Sequence, residues 1–220
     1  MPVDERLLPP APRPLLRGRL HLLAAWVAVA GLVILMLLAH SPRAYVGGAI
    51  FATSLILLYF TSGVYHAITW GRRMRSLLKR LDHSMIFVLI AGTYTPFCLV
   101  VLDDAWGISM LSVIWGIALA GVILKMVWPG APRWLSVTLY ASAGWLGLVA
   151  SVPLSQWFAV APLVLLVTGG VLYTLGGVIY AVRRPNPFPS VFGYHEVFHL
   201  LVIAGSVLYF SLVAIYLMPA

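Results

Sequence analysis

The sequence predicts an all-α membrane protein: a bundle of seven transmembrane helices, with the N-terminus in the cytoplasm and the C-terminus outside. Three observations predict it. First, 62% of the 220 residues are hydrophobic and only 9% are charged, with a mean hydropathy of +0.99. A soluble domain of this size carries about a quarter charged residues, so the solvent for this chain is lipid. Second, apolar runs of about 20 residues or more recur seven times, each long enough as a helix to cross a hydrocarbon core of about 30 Å. Third, basic residues crowd into alternate breaks between those runs.

In chain order, residues 1–19 read as a flexible basic cytoplasmic arm, with Pro9, Pro10, Pro12 and Pro14 among Arg6, Arg13, Arg17 and Arg19. The transmembrane domain is expected over 20–217, with spans at about 20–39, 44–68, 81–101, 106–127, 133–152, 158–182 and 194–217. The first run is longer than the apolar stretch of a signal peptide and no clear small-residue cleavage site follows it, so it reads as a span. Loop chemistry marks the breaks: Ser41-Pro42-Arg43, the basic stretch Gly71–Arg80, Asp103-Asp104, Pro129-Gly130-Ala131-Pro132, Pro153, and Arg183–Pro189. Glycine pairs within the spans (Gly47-Gly48, Gly169-Gly170, Gly176-Gly177) suit close helix contact, which in lipid depends on small residues. Pro96 removes a backbone hydrogen bond late in the third span and predicts a kink there, with threonine hydroxyls beside it to satisfy freed groups.

Charge sets the orientation. With the arm inside, 13 of the 14 basic residues fall on the cytoplasmic side, and Arg43 joins the acidic pair Asp103-Asp104 outside. The net charge of +8 is therefore explained by the positive-inside bias, with no nucleic-acid partner. Cys98 is the only cysteine, so no internal disulfide can form. The chain reads as a multi-pass cell-membrane protein.

Ionisable residues inside spans are costly and mark function by default. On this topology His66 ends the second span, Asp82 and His83 open the third, and His195, Glu196 and His199 open the seventh. All lie at one leaflet. His195 and His199 are spaced i, i+4, so they share a helix face and can chelate one ion, and His66 supplies a third nitrogen. Three imidazoles with a fourth position open suit a catalytic zinc, which lowers the pKa of its bound water to about 7. Asp82 could hold or deprotonate that water, and Ser62 lies one turn before His66 on the same face. His21 and His40 read as interfacial residues. His195-Glu196-Val197-Phe198-His199 also fits H-E-x-x-H, the zinc metalloprotease helix in which the glutamate is the base.

Four motifs then resemble one family: Ser62-Gly63-Val64-Tyr65-His66, Leu81-Asp82-His83-Ser84, Ala91-Gly92-Thr93-Tyr94-Thr95-Pro96-Phe97, and Gly193 through His199. They are similar to the haemolysin III family, which groups with the adiponectin and progestin receptor proteins and more distantly with the alkaline ceramidases. The resemblance runs from Arg17-Gly18-Arg19-Leu20-His21 onward. It implies a seven-helix bundle with Zn²⁺ near the cytoplasmic face, held by His66, His195 and His199, with Asp82 on the metal-bound water and Ser62 lining the site. Many bacterial members carry an acidic stretch before the first helix, where this chain is basic, so the arm is assigned no role.

Three functions follow as expectations. The first is a zinc-dependent hydrolase of a lipid amide or ester bond, ceramidase-like, with membrane lipid as substrate. The second is a non-enzymatic sensor or regulator of membrane state with a structural zinc. The third, a pore former, has little support, because few polar residues lie inside the spans beyond the metal cluster. Substrate identity and oligomeric state stay open.

Overall fold

The computed structural model describes residues 14–102, 104–148 and 159–220. Among the described residues seven α-helices follow one another: α1 (Arg19–Leu38), α2 (Pro42–Ala67), α3 (Arg72–Pro96), α4 (Ala105–Val127), α5 (Arg133–Trp145), α6 (Val160–Val182) and α7 (Tyr194–Leu212). Helices α3 and α7 each run on through a π-helical turn, Phe97–Val101 and Val213–Leu217. No strand occurs among the described residues; Phe188 and Phe192 form an isolated bridge.

Six of these helices, all except α5, are long and apolar enough to cross a membrane. This is a multi-pass membrane protein. Its outer surface bears that out: Leu37 on α1, Val127 on α4 and Val160 on α6 are 77%, 78% and 77% exposed, a distribution suited to lipid and costly in water. Helix α5 has 13 described residues, about 20 Å at 1.5 Å per residue, and a single 3₁₀ turn, Leu146–Leu148, follows it. The rest of the predicted fifth span, 149–152, lies outside the described residues, as do Pro153, Asp103 and the first 13 residues of the arm.

One boundary differs clearly from the sequence reading. The basic stretch expected as a loop is helical from Arg72 onward. Arginine, lysine, leucine and methionine are good helix formers, and the run from Arg72 to Tyr94 holds no proline and one glycine, Gly92, which the helix accommodates. Polar turns therefore extend α3 beyond the hydrocarbon, and Asp82 sits about three turns into the helix rather than at its start.

Two close approaches seat the helices that carry the site. At Gly92, a Cβ would lie 2.3 Å from Ser54 Oγ, so α3 meets α2 almost at backbone distance. Gly18 has φ +81°, and a Cβ there would lie 2.5 Å from Ala67 N; only glycine turns the chain into α1 this close to the end of α2. Late in α3, Thr93 Oγ1 donates to Leu89 O and Thr95 Oγ1 to Ala91 O, both at 2.8 Å. Pro96 then ends the regular helix and the π-turn follows. In packing order α1 lies on α2, α2 on α3 and α6 on α7, with α1 also touching α7.

Candidate metal centre

The last turn of α2, the first half of α3 and the first two turns of α7 converge at one end of the bundle. One ring nitrogen from each of His66, His195 and His199 lies within 4.8 Å of the others. His66 Nε2 and His195 Nε2 face each other at 3.1 Å. A tetrahedral ion bound about 2.1 Å from each nitrogen requires nitrogens about 3.4 Å apart, so small side-chain rotations suffice to surround one cation. His195 and His199 are 7% and 2% exposed. In so dry a setting, three imidazoles with nitrogens turned toward one point need a cation or protons between them. The donor set fits zinc: borderline-soft nitrogen ligands from separate helices with room for a further ligand.

Asp82 Oδ2 lies 3.5 Å from His66 Nε2 and 3.8 Å from His83 Nδ1, and Ser62 engages the same carboxylate. The carboxylate thus stands beside the histidine cluster, where it can accept from a metal-bound group or a substrate. His83 is turned elsewhere: its Nδ1 donates to Lys79 O at 2.7 Å, and Tyr180 Oη is 3.5 Å from its Nε2. His40, exposed at the far end of α1, has its backbone N–H donating to Met218 O.

Two residues matter more here than the sequence reading gave them. His21, expected as an interfacial residue, is 2% exposed and stacks on His199 with ring centroids 3.6 Å apart and planes 10° from parallel. Its ring nitrogens have no partner among the described residues. The correction has a physical cause: α1 approaches α2 so closely that a Cβ on Gly63 would be 2.7 Å from the Leu22 side chain, which carries His21 inside the bundle. The i, i+3/i+4 spacing from Gly18 to His21 and Leu22 was the available signal.

Arg17 is the second. The backbone N–H groups of Leu15 and Leu16 donate to Ser190 O and Val191 O, and Arg17 Nε lies 3.3 Å from Glu196 Oε1. Glu196, 1% exposed, has its other oxygen, Oε2, accepting from Gly193 N at 2.8 Å. The carboxylate therefore caps the start of its own helix and pairs with Arg17. A glutamate so engaged is poorly placed to act as the base that the H-E-x-x-H reading requires.

The cluster opens on a cavity of about 710 Å³. Polar groups line one end, with His66, Asp82 and His195; apolar ones line the other, with Phe97, Leu102 and Met110, and α5 and α6 contribute Val137, Leu166 and Val167. A pocket of this size falls within the range that binds small molecules.

A family model described as haemolysin-III related matches residues 11–210. A protein named hemolysin-3 homolog in Bacillus subtilis (strain 168) is 35% identical over 199 residues, covering 89% of this chain and 90% of its own. Hemolysin-3 of Bacillus cereus is 34% identical over 202 residues, 90% of this chain and 89% of its own. The adiponectin receptor protein of Drosophila melanogaster is 28% identical over 184 residues, 74% of this chain but 40% of its own.

Proposed function

The chain belongs to the haemolysin-III-related family, and from that membership and the cluster's geometry we propose a seven-span membrane protein that binds zinc and hydrolyses a lipid amide or ester bond. The observation that carries the reading is the meeting of His66, His195 and His199 beside Asp82 at the mouth of a lipid-sized cavity.

Seven crossings are supported by a parity argument. The Arg133 guanidinium, at the first residue of α5, lies 5.2 Å from the ring of Tyr180 near the end of α6. Both residues are therefore at the same end of the bundle. Helix α6 is long enough to cross, and α5 starting at the end where α6 finishes supports a further crossing that begins with α5. With the basic residues inside, seven crossings would have the metal cluster at the cytoplasmic leaflet and the last residue outside. The transmembrane domain is proposed over 20–217.

His66, His195 and His199 would hold the ion, which when bound acidifies a coordinated water and polarises a carbonyl. The chain's own residues do the rest. Asp82 accepts a proton at its carboxylate and delivers it to the leaving group, while Ser62 keeps that carboxylate in place. His21 buttresses the His199 ring from behind. The apolar end of the cavity takes the acyl chain, which fixes the scissile bond at the polar end and keeps bulk water out.

The test combines metal analysis and turnover. Purified protein should hold about one zinc per chain and cleave a member of a panel of lipid amides and esters. Asp82→Asn should keep the metal and lose about 10²–10⁴-fold in turnover. A zinc-loaded protein that cleaves nothing, in cells whose lipid pools do not change on deletion, would overturn the hydrolase. One observation favours a second reading: the cluster straps α2, α3 and α7 together, as a structural zinc in a regulator of membrane state would. In that case Asp82→Asn has no turnover to lose, and metal removal acts through thermal stability alone.

A further inference from the structure

A second polar cavity, of about 170 Å³, lies behind the metal cluster at the same end of the bundle. Four helices supply its walls. Lys79 and Arg80 come from α3, Lys125 from the end of α4, Arg133 and Ser136 from the start of α5, and Tyr180 from α6. Four cations thus converge on one space, and among the described residues no carboxylate lines it. The nearest carboxylate on these elements, Asp82, is turned to His66 and His83.

Positive-inside bias accounts for cations in loops, where water and headgroups solvate them. It does not account for burial. Lys125 is 4% exposed; its Nζ donates to Ser136 Oγ and lies 5.5 Å from the Tyr140 ring centroid, and among the described residues no carboxylate pairs with it. Arg80 Nη1 donates to Met126 O at 2.7 Å, yet its Nε is buried without a hydrogen-bond partner among the described residues. Arg133 stacks over Tyr180, and its Nη1 is likewise buried with no hydrogen-bond partner among the described residues. Water in the cavity could satisfy these donors but not the charge. An oxyanion satisfies both, and guanidinium groups suit phosphate because they offer paired, directional N–H donors.

We propose that this cavity is a phosphate-binding site, and that its occupant is the headgroup of an anionic lipid. Basic pockets between helix ends recognise such headgroups by charge and hydrogen bonding together. Arg133, Lys79, His83 and Tyr180 also line the larger cavity, so a lipid held here stands at the side of the metal site. The proposal does not depend on the zinc or on hydrolysis.

The test uses the purified full chain in detergent, with thermal melting and native mass spectrometry as readouts. Dihexanoyl phosphatidylglycerol, dihexanoyl phosphatidylcholine and inorganic phosphate are titrated separately. The phosphatidylglycerol should bind saturably and raise Tm, and the zwitterionic lipid should do neither. Arg133→Gln and Lys125→Met should each weaken that binding roughly tenfold, the loss of one charge-assisted hydrogen bond, while zinc content stays unchanged. Arg80→Gln, less buried, provides the same comparison if Lys125→Met does not fold. Arg72→Gln with Arg73→Gln, exposed at the start of α3, should have little effect. Inorganic phosphate binding as tightly as the lipid, with the same sensitivity to Arg133→Gln, would keep the anion site and assign it to free phosphate. Equal weakening by the Arg72/Arg73 pair, or no preference for the anionic lipid, would overturn the proposal.

Discussion

Helices α2 and α3 bury 50% and 61% of their most apolar 18-residue windows inside the bundle, whereas α6 buries 11%. The two regions are built for different work. Around α2 and α3, a Cβ added at Gly18, Gly63 or Gly92 would lie 2.3–2.7 Å from a neighbouring atom, so the helices meet closely, and the histidine cluster sits there. Around α5 and α6 the side chains border open cavity. A metal site needs ligands fixed to within fractions of an ångström, while a lipid needs space and a way in. The difference places positional precision on one side of the molecule and adaptability on the other.

The largest effect should come from breaking the precise side. Structural zinc sites with four ligands supply roughly 10–16 kcal/mol, about 2.5–4 kcal/mol per ligand, and a site with three protein ligands has less to spare. His66→Ala and His199→Ala should therefore leave the purified protein essentially metal-free, as read by elemental analysis. Zinc retained at the wild-type level in both variants would remove the metal centre from consideration.

Next in size is Gly18→Ala. The left-handed backbone and the 2.5 Å approach to Ala67 N forbid a side chain, and the strain should cost about 2–3 kcal/mol. Thermal melting in detergent reads it directly. Because Gly18 stands between Arg17 and His21, the variant should also loosen the start of α1 and lower zinc retention. An unchanged Tm would mean that α1 is free to shift, contrary to the close packing argued above.

This position also shows what was legible in the sequence. Six spans and the grouping of His66, Asp82, His195 and His199 could be read from hydropathy, charge and spacing, because lipid forces long apolar helices and penalises each ionisable residue within them, while the family was legible only as the resemblance of four motifs. The start of α3 could not, since Arg72–Arg80 is equally suited to a polar loop and to a helix that projects into water. His21 and Arg17 were missed for another reason. Their importance arises from how closely α1 lies against α2 and how the chain near Ser190 and Val191 holds residues 15 and 16, and hydropathy carries no record of inter-helix distance. Glu196 was visible but ambiguous, because one five-residue pattern serves both a protease base and a helix cap.

Glu196→Gln separates those two uses. An amide keeps an acceptor for Gly193 N and loses the charge opposite Arg17, so stability should fall by about 1 kcal/mol while zinc content holds. Any hydrolysis should survive within about tenfold. Were turnover abolished with stability and metal intact, Glu196 would be the base after all and the protease-like reading would return.

The smallest effect should come from the adaptable side. A Cβ at Gly170 of α6 would meet Tyr209 Oη at 3.4 Å and the Trp145 ring at 3.9 Å, ordinary contacts, and beyond them lies the main cavity. Gly170→Leu should therefore change stability by about 0.5 kcal/mol or less, since leucine's better helix propensity offsets minor crowding. Its consequence should be selective. Leucine fills volume that a long acyl chain would occupy, so KM for long-chain substrates should rise while short-chain ones are cleaved as before. A Tm loss as large as that of Gly18→Ala would mean that α6 is packed as tightly as α2, and the division between a precise half and an adaptable half would fail. A selective loss of long-chain substrates with Tm unchanged would tie the cavity to the acyl chain.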